Sequence, residues 1–171
     1  MRTASIVLVF LLCGILTGCG WHLRGQSSEG GLNRALYVEE AGTPTLGPVL
    51  RQEITNRGGT FATRTTADII IEVSSEKFSR RPLSLDPNTG KVREIELVLK
   101  ATVALRDGQG RLLMPRDELA FENDYIFDET SVLGTTEQDA VVKRDLAQLA
   151  ARSILFRVQA VNLAETTGTS S

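Results

Sequence analysis

The sequence predicts an α+β domain: a four-stranded, mostly antiparallel sheet with two helices packed on one face, in the order β-α-β-β-β-α. Three observations lead there. Glu94 to Leu105 alternates strictly, with Ile95, Leu97, Leu99, Ala101, Val103 and Leu105 at every second position. A period of two over that length describes a strand with one buried face and one largely polar face. Ile69 to Val73 is a β-branched run bounded by Asp68 and Ser74-Ser75, as a strand core is. Val142, Leu146, Leu149, Ser153, Phe156 and Ala160 recur at helical spacing near the C-terminus.

The elements follow in order. Leu36-Tyr37-Val38 reads as a short first strand, whose direction in the sheet the sequence leaves open. Thr45 can cap a helix that holds Pro48 in its first turn, where a missing N–H does no harm. Leu46, Val49, Leu50 and Ile54 share one face of it, and Gly58-Gly59 end it. A meander of three strands is expected over Ile69–Phe78, Val92–Leu105 and Leu119–Phe127. Asp86-Pro87-Asn88-Thr89-Gly90 and Asp107-Gly108-Gln109-Gly110 are its turns by composition. Thr135 with Gln138 has capping-box spacing and opens the last helix. Ala147, Ala150, Ile154, Leu155, Val158 and Val161 add to its apolar stripe, so Asp145, Gln148, Arg152 and Gln159 keep only a narrow polar face. A helix this apolar is either a wide core stripe or partly covered by a partner.

The N-terminus sets the compartment. Met1-Arg2, the apolar run Ile6 to Leu16 and then Leu16-Thr17-Gly18-Cys19 form a secretory signal ending in a lipobox. The run is shorter than the ~20 apolar residues a membrane span needs. The expected organisation is a signal peptide over 1–18, a lipid-anchored tether over 19–33, one domain over 34–163 and a disordered polar tail over 164–171. Cys19 then carries a diacylglyceryl group and an N-acyl chain, which together anchor stably where one chain alone would not. Gly20, in place of an aspartate after the lipidated cysteine, favours the outer membrane, with the body in the periplasm. Loss of Arg2 with the signal leaves 18 basic against 21 acidic residues, a net of −3. That balance gives no bulk attraction to nucleic acid.

Residues that carry chemistry are scarce. His22 is the single histidine, and Cys19 is the single mature cysteine, so zinc arrangements are not expected. No phosphate-binding glycine loop is present, and Glu94 and Glu96 alternate on the polar face of a strand. Trp21 and Leu23 suit the headgroup zone beside the anchor. The reading is therefore of a protein that is not an enzyme and needs no cofactor beyond the lipid on Cys19.

The segment Cys19-Gly20-Trp21-His22-Leu23-Arg24-Gly25 resembles the mature start of the LptE family of lipopolysaccharide-assembly lipoproteins. The resemblance continues through Ala101-Thr102-Val103 with the turn Asp107 to Gly110, through Asp124-Tyr125, and through Val132-Leu133 with Glu137-Gln138-Asp139. The sequence departs from the family at Asp124, and at Thr135 and Thr136, where relatives often carry a basic residue. The resemblance therefore carries no basic lipid contact to those places. It does imply non-enzymatic work: a plug in the lumen of the outer-membrane β-barrel LptD, assistance in its assembly, and binding of lipopolysaccharide. The alternative is a stand-alone periplasmic lipid-binding or scaffolding lipoprotein without a barrel.

A phosphorylated lipid asks for clustered Arg or Lys. Lys77, Arg80 and Arg81 lead into the Pro82 to Gly90 loop, and Lys91 and Arg93 leave it. If the flanking strands pair, all five are expected near one end of a hairpin, as the lipopolysaccharide contact. Arg111 with Arg116, on the following loop, forms a second basic candidate, equally suited to the lipid or to the barrel wall. Contact with the barrel is expected from Leu85 and Pro87, from Val132 and Leu133 in a loop over Ser131 to Thr136, and from part of the last helix.

Overall fold

The computed structural model describes residues 32–127 and 132–168, with side chains of the last helix described over 137–161. The signal, Cys19, Trp21, His22, Leu23, Ser131 and residues 169–171 lie outside the described residues. The elements are β1 (Ala35–Ala41), α1 (Leu46–Asn56), β2 (Thr60–Phe61), β3 (Ile69–Leu85), β4 (Val92–Asp107), β5 (Leu112–Ile126) and α2 (Val132–Gly168).

The sheet has five strands in the order β2-β1-β3-β4-β5, so the expected four-stranded sheet is corrected by one. The added strand is two residues long, too short to leave a periodic signal. β3, β4 and β5 form the antiparallel meander read from the sequence. β1 runs parallel to both β3 and β2, which settles its direction and makes the sheet mixed. A parallel neighbour needs a crossover, and α1 supplies it.

The core lies between the helices and one face of the sheet. Leu97, Leu99, Val103 and Leu105 of β4 are buried there with Leu36, Val38, Ile69 and Ile71. α1 contributes Leu46, Leu50 and Ile54. α2 contributes Leu146, Ala147, Ala150, Ala151, Ile154, Leu155 and Val158. The helix is therefore rotated from the expected stripe, for Leu149 and Phe156 face outward. Small alanines at 147, 150 and 151 let α2 sit close to the sheet and to α1, which larger side chains there would prevent. Leu32, read as part of the tether, is buried in the same cluster. The helical backbone of α2 begins at Val132, within the stretch expected as a loop, and continues to Gly168, into the expected tail.

Two local features decide where functional side chains point. The first is a bulge in β3. Ser75 takes a positive φ of 60°, and the register shifts between Ser74 and Lys77. One extra residue exchanges the faces of a strand. Before the bulge Ile69, Ile71 and Val73 face the helices; after it Phe78 and Arg80 do, opposite Leu99 and Leu97. Glu76 also turns to the helix side and accepts the backbone N–H of Leu46 at 2.9 Å and of Thr45 at 3.1 Å. Thr45 makes no side-chain cap, so this carboxylate replaces the local cap that the sequence led us to expect. A carboxylate at a helix N-terminus satisfies orphan donors and favours the dipole.

The second feature is length. β3 runs on through Arg80-Arg81-Pro82 to Leu85 and does not end at Phe78. Pro82 stands opposite Ile95, and the register is irregular between it and Leu85. Proline is tolerated in strands at such irregularities.

Candidate functional site

The β3–β4 hairpin ends in a turn built by Asp86. Its Oδ1 accepts the N–H of Asn88 at 3.0 Å, the N–H of Thr89 at 2.9 Å and the Thr89 hydroxyl at 3.1 Å. Gly90 closes the turn with φ of 70°. The hydrogen bonds from Thr89 and Asn88, with Arg93 nearby, hold the Asp86 carboxyl below the usual carboxylate range. Leu83, Leu85 and Ile126 are exposed around this end of the sheet, Ile126 to 73%. Glu94 of β4 stands opposite Ile126, and Ser84 hydrogen-bonds Glu94 at 2.8 Å, which ties the three strands together there.

The five basic residues do not gather at this tip. Arg80 and Arg81 are neighbours on a strand and so point to opposite faces. Arg81 lies on the helix-free face and pairs with Glu96 at 2.8 Å. Lys77 stands opposite Lys100, back along the sheet. Arg93 is seven residues along β4 from Lys100, about 24 Å at strand rise. Only Lys91 and Arg93 flank the turn. Leu85 ends β3 and Pro87 lies in the turn, both exposed. Val132 and Leu133 belong to α2 rather than to a loop. Arg111 is held by Asp107 at 2.8 Å in the β4–β5 turn, at the other end of the meander from Lys91 and Arg93, and Arg116 is exposed on β5.

Arg80 serves a different purpose. Its guanidinium clasps Asp139 of α2, Nε to Oδ1 at 3.1 Å and Nη2 to Oδ2 at 2.8 Å. The Tyr125 hydroxyl donates to the same Oδ1 at 3.2 Å, and Lys143 reaches Oδ2 at 2.8 Å. Lys143 also lies over the Phe78 ring, 5.6 Å from its centre. Burial pushes the Asp139 carboxyl up, but the hydrogen bonds and charges of Arg80 and Lys143 outweigh it and leave the group below its ordinary value. Burial and the Asp139 charge raise Tyr125. The knot joins β3, β5 and α2, so it fixes the helix to the hairpin. Its signal was present in the sequence: Asp139 lies three residues before Val142 and seven before Leu146, a carboxylate on the helix's buried side.

At the opposite end of the sheet, Asp107 orders the β4–β5 turn. It accepts the N–H of Gln109 at 3.0 Å and of Arg111 at 2.8 Å. Gly108 passes so close to Ala67 that an added Cβ would stand 2.4 Å from the Ala67 carbonyl oxygen. Arg34, Asp68 and Arg111 line a polar cleft beside this turn. Among the described residues no cluster of side chains fits a metal ion.

The outer face of α2 is the other notable surface. Val141, Leu149 and Phe156 are exposed along it, Phe156 to 71%. Arg152 on the same side pairs with Glu53 of α1 at 2.9 Å, and Arg157 pairs with Asp117 of β5. These ion pairs bracket the apolar stripe without covering it.

Fold and surfaces together define a class: a helix-backed mixed sheet with a long hairpin arm and an apolar outer helix face. The sequence profile described as "LptE: Lipopolysaccharide-assembly" matches residues 34–158. The chain belongs to the LptE family. Solved structures agree on the fold. The rare lipoprotein B from Shewanella oneidensis superposes with a TM-score of 0.65 at 18% identity, over 77% of this chain and 98% of that one. A lipoprotein B from Nitrosomonas europaea gives a TM-score of 0.66 at 25% identity, over 88% and 97%. A minor lipoprotein from Acinetobacter baumannii gives 0.60 at 24%, over 74% and 90%. Among curated proteins, none matches the chain in sequence.

Proposed function

We propose that this protein is an outer-membrane lipoprotein, acylated at Cys19, that seats in the lumen of the LptD β-barrel, assists its assembly and contacts lipopolysaccharide on its way to the outer leaflet. Membership of the lipopolysaccharide-assembly family over residues 34–158 is the observation that carries this reading. Three further features support it. The lipobox Leu16 to Cys19 suits a tethered body, and similar structures are themselves described as lipoproteins. The stripe of Val141, Leu149 and Phe156 offers apolar surface to a partner wall. The chemistry asked of the protein is fitting and holding, with no bond made or broken.

In this reading the hairpin tip is the lipid contact. Lys91 and Arg93 supply charge for phosphate, and Leu83, Leu85 and Ile126 supply exposed apolar surface for acyl chains. Arg81 extends the charge along the helix-free face while bound to Glu96. Arg80 acts instead as a structural clasp on Asp139. Leu85 and Pro87, with the start of α2 at Val132 and Leu133, contact the barrel.

Two measurements test the proposal. Tagged protein purified from detergent-solubilised membranes is expected to bring a large β-barrel with it. Replacing Lys91 and Arg93 by Ala is expected to weaken binding of purified lipopolysaccharide while leaving the melting temperature unchanged. Unchanged lipid affinity rejects the tip as the contact, and recovery of the protein alone rejects the barrel partnership.

A further inference from the structure

β5 is the outermost strand of the meander, with α2 packed on one of its faces. β5 closes the sheet order on that side, so no described strand meets its outer edge. The register tells which main-chain groups are left over. Phe127 donates its N–H to the Arg93 carbonyl at 2.8 Å, and Glu94 stands opposite Ile126. Hydrogen-bonded pairs alternate along an antiparallel ladder. Leu119, Phe121, Asn123 and Tyr125 therefore turn their N–H and C=O groups towards β4. Those of Glu118, Ala120, Glu122, Asp124 and Ile126 point outward.

The two halves of this edge differ. The first half is guarded: Pro115 sits in a register break between Met114 and Asp117, and a proline in a bulge blocks further pairing. From Glu118 to Ile126 there is neither proline nor lysine, and the charges that guard this edge, Glu118, Glu122 and Asp124, are all of one sign. The side chains of Glu118, Ala120, Glu122, Asp124 and Ile126 are all exposed, on the face away from the helices. Charge then selects the occupant. A second copy paired antiparallel about Phe121 sets the carboxylates of Glu118 and Asp124 against one another, and one paired about Glu122 sets that carboxylate against itself; like charges directly across strands repel. A strand with Lys or Arg at alternate positions meets the same carboxylates as opposite charges.

We propose that the outer edge of β5, from Glu118 to Ile126, is a strand-addition site for an extended basic segment of another protein. Its basic residues lie beside Glu122 and Asp124, and beside Glu118, which already holds Lys100 at 2.9 Å; its intervening residues are apolar, level with Leu119 and Tyr125. Main-chain hydrogen bonds give the affinity, and the alternating charge gives the register. The inference rests on strand order and register, and stands whether or not the hairpin tip binds lipid.

The test uses the full chain in detergent and a synthetic peptide that alternates lysine with valine and is long enough to span Glu118 to Ile126. Amide hydrogen exchange is read residue by residue. Slowed exchange is expected at Glu118, Ala120, Glu122, Asp124 and Ile126, with their odd-numbered neighbours unchanged. Ala120→Pro removes an outward N–H that β4 does not use, so it should fold normally and lose the peptide. Glu122→Lys with Asp124→Lys is a second variant that leaves the backbone alone; it should weaken binding by about tenfold or more. A peptide with glutamate in place of lysine should not bind. The proposal is overturned if the basic peptide slows no outward amide, or if both variants bind it as the unaltered chain does. It is also overturned if the protein self-associates through this edge and Ala120→Pro abolishes that association, since the occupant is then a second copy.

Discussion

Asp139→Asn tests the clasp between α2 and the hairpin. The substitution keeps the shape of the side chain and removes its charge. Four contacts converge on the carboxylate: two from Arg80 at 3.1 and 2.8 Å, one from Lys143 at 2.8 Å and one from Tyr125 at 3.2 Å. Hydrogen bonds to a charged group contribute about 1.5–3 kcal/mol each, against roughly 1 kcal/mol for neutral ones. The side chain of Asp139 is only 7% exposed, whereas Arg80 is 54% exposed, so the arginine recovers part of the loss by rehydration. Lys143 does likewise, from a more sheltered position. An asparagine oxygen still accepts one hydrogen bond, but its amide faces cations. The net expected cost is about 2–3 kcal/mol, a drop in melting temperature of roughly 6–9 °C for a domain of this size. Chemical denaturation followed by circular dichroism reads it directly. Lys100→Ala is the control, since the Lys100–Glu118 pair is exposed on both sides and such pairs contribute ~0–1 kcal/mol. If Asp139→Asn costs no more than Lys100→Ala, the clasp does not hold the helix to the hairpin.

Further outcomes follow from the same geometry. Gly108→Ala should destabilise the protein by about 1–3 kcal/mol, because its Cβ meets a backbone oxygen of Ala67 at 2.4 Å and not a movable side chain; an unchanged denaturation midpoint contradicts this. Glu76→Ala should cost about 1 kcal/mol by uncapping α1, and amides at the start of that helix should exchange faster than those at its end. Asp139 titrates below the unfolded carboxylate value, so its stabilisation is complete above about pH 4 and is lost as pH falls through its folded pKa. The acid limb of the unfolding curve should accordingly flatten in Asp139→Asn; equal limbs in the two proteins refute the assignment. Phe156→Ser should change stability by less than about 0.5 kcal/mol, as its ring is already exposed, yet reduce recovery of a partner in pull-downs from membranes.

What the sequence made legible, and what it hid, has physical causes. The alternation from Glu94 to Leu105 exposed β4 because one face of that strand is buried from Ile95 to Asp107. The sequence alone ends β3 at Phe78 because Arg80-Arg81-Pro82 looks like a loop. Carboxylates far along the chain, Asp139 and Glu96, neutralise those arginines and keep the segment extended. The bulge at Ser75 left no pattern, yet it decides that Arg80 and Glu76 face the helices. The spread of the five basic residues follows from the length of β3 and the alternation of its side chains. The apolar surface of α2 was visible, but its rotation was not, since both candidate stripes carried hydrophobic residues. Alanines at 147, 150 and 151 chose the buried side by letting the helix approach closely. The free edge of β5 needed the strand order, which no local pattern contains.

The composition of the complex drawn from solubilised outer membranes by the tagged, unaltered chain at its native level decides between a barrel plug and a protein that works alone. A single large β-barrel is expected in equimolar amount, released together with a protein acylated at residue 19. Recovery of the chain alone, or with an unmodified Cys19, rules out a lipid-tethered barrel plug.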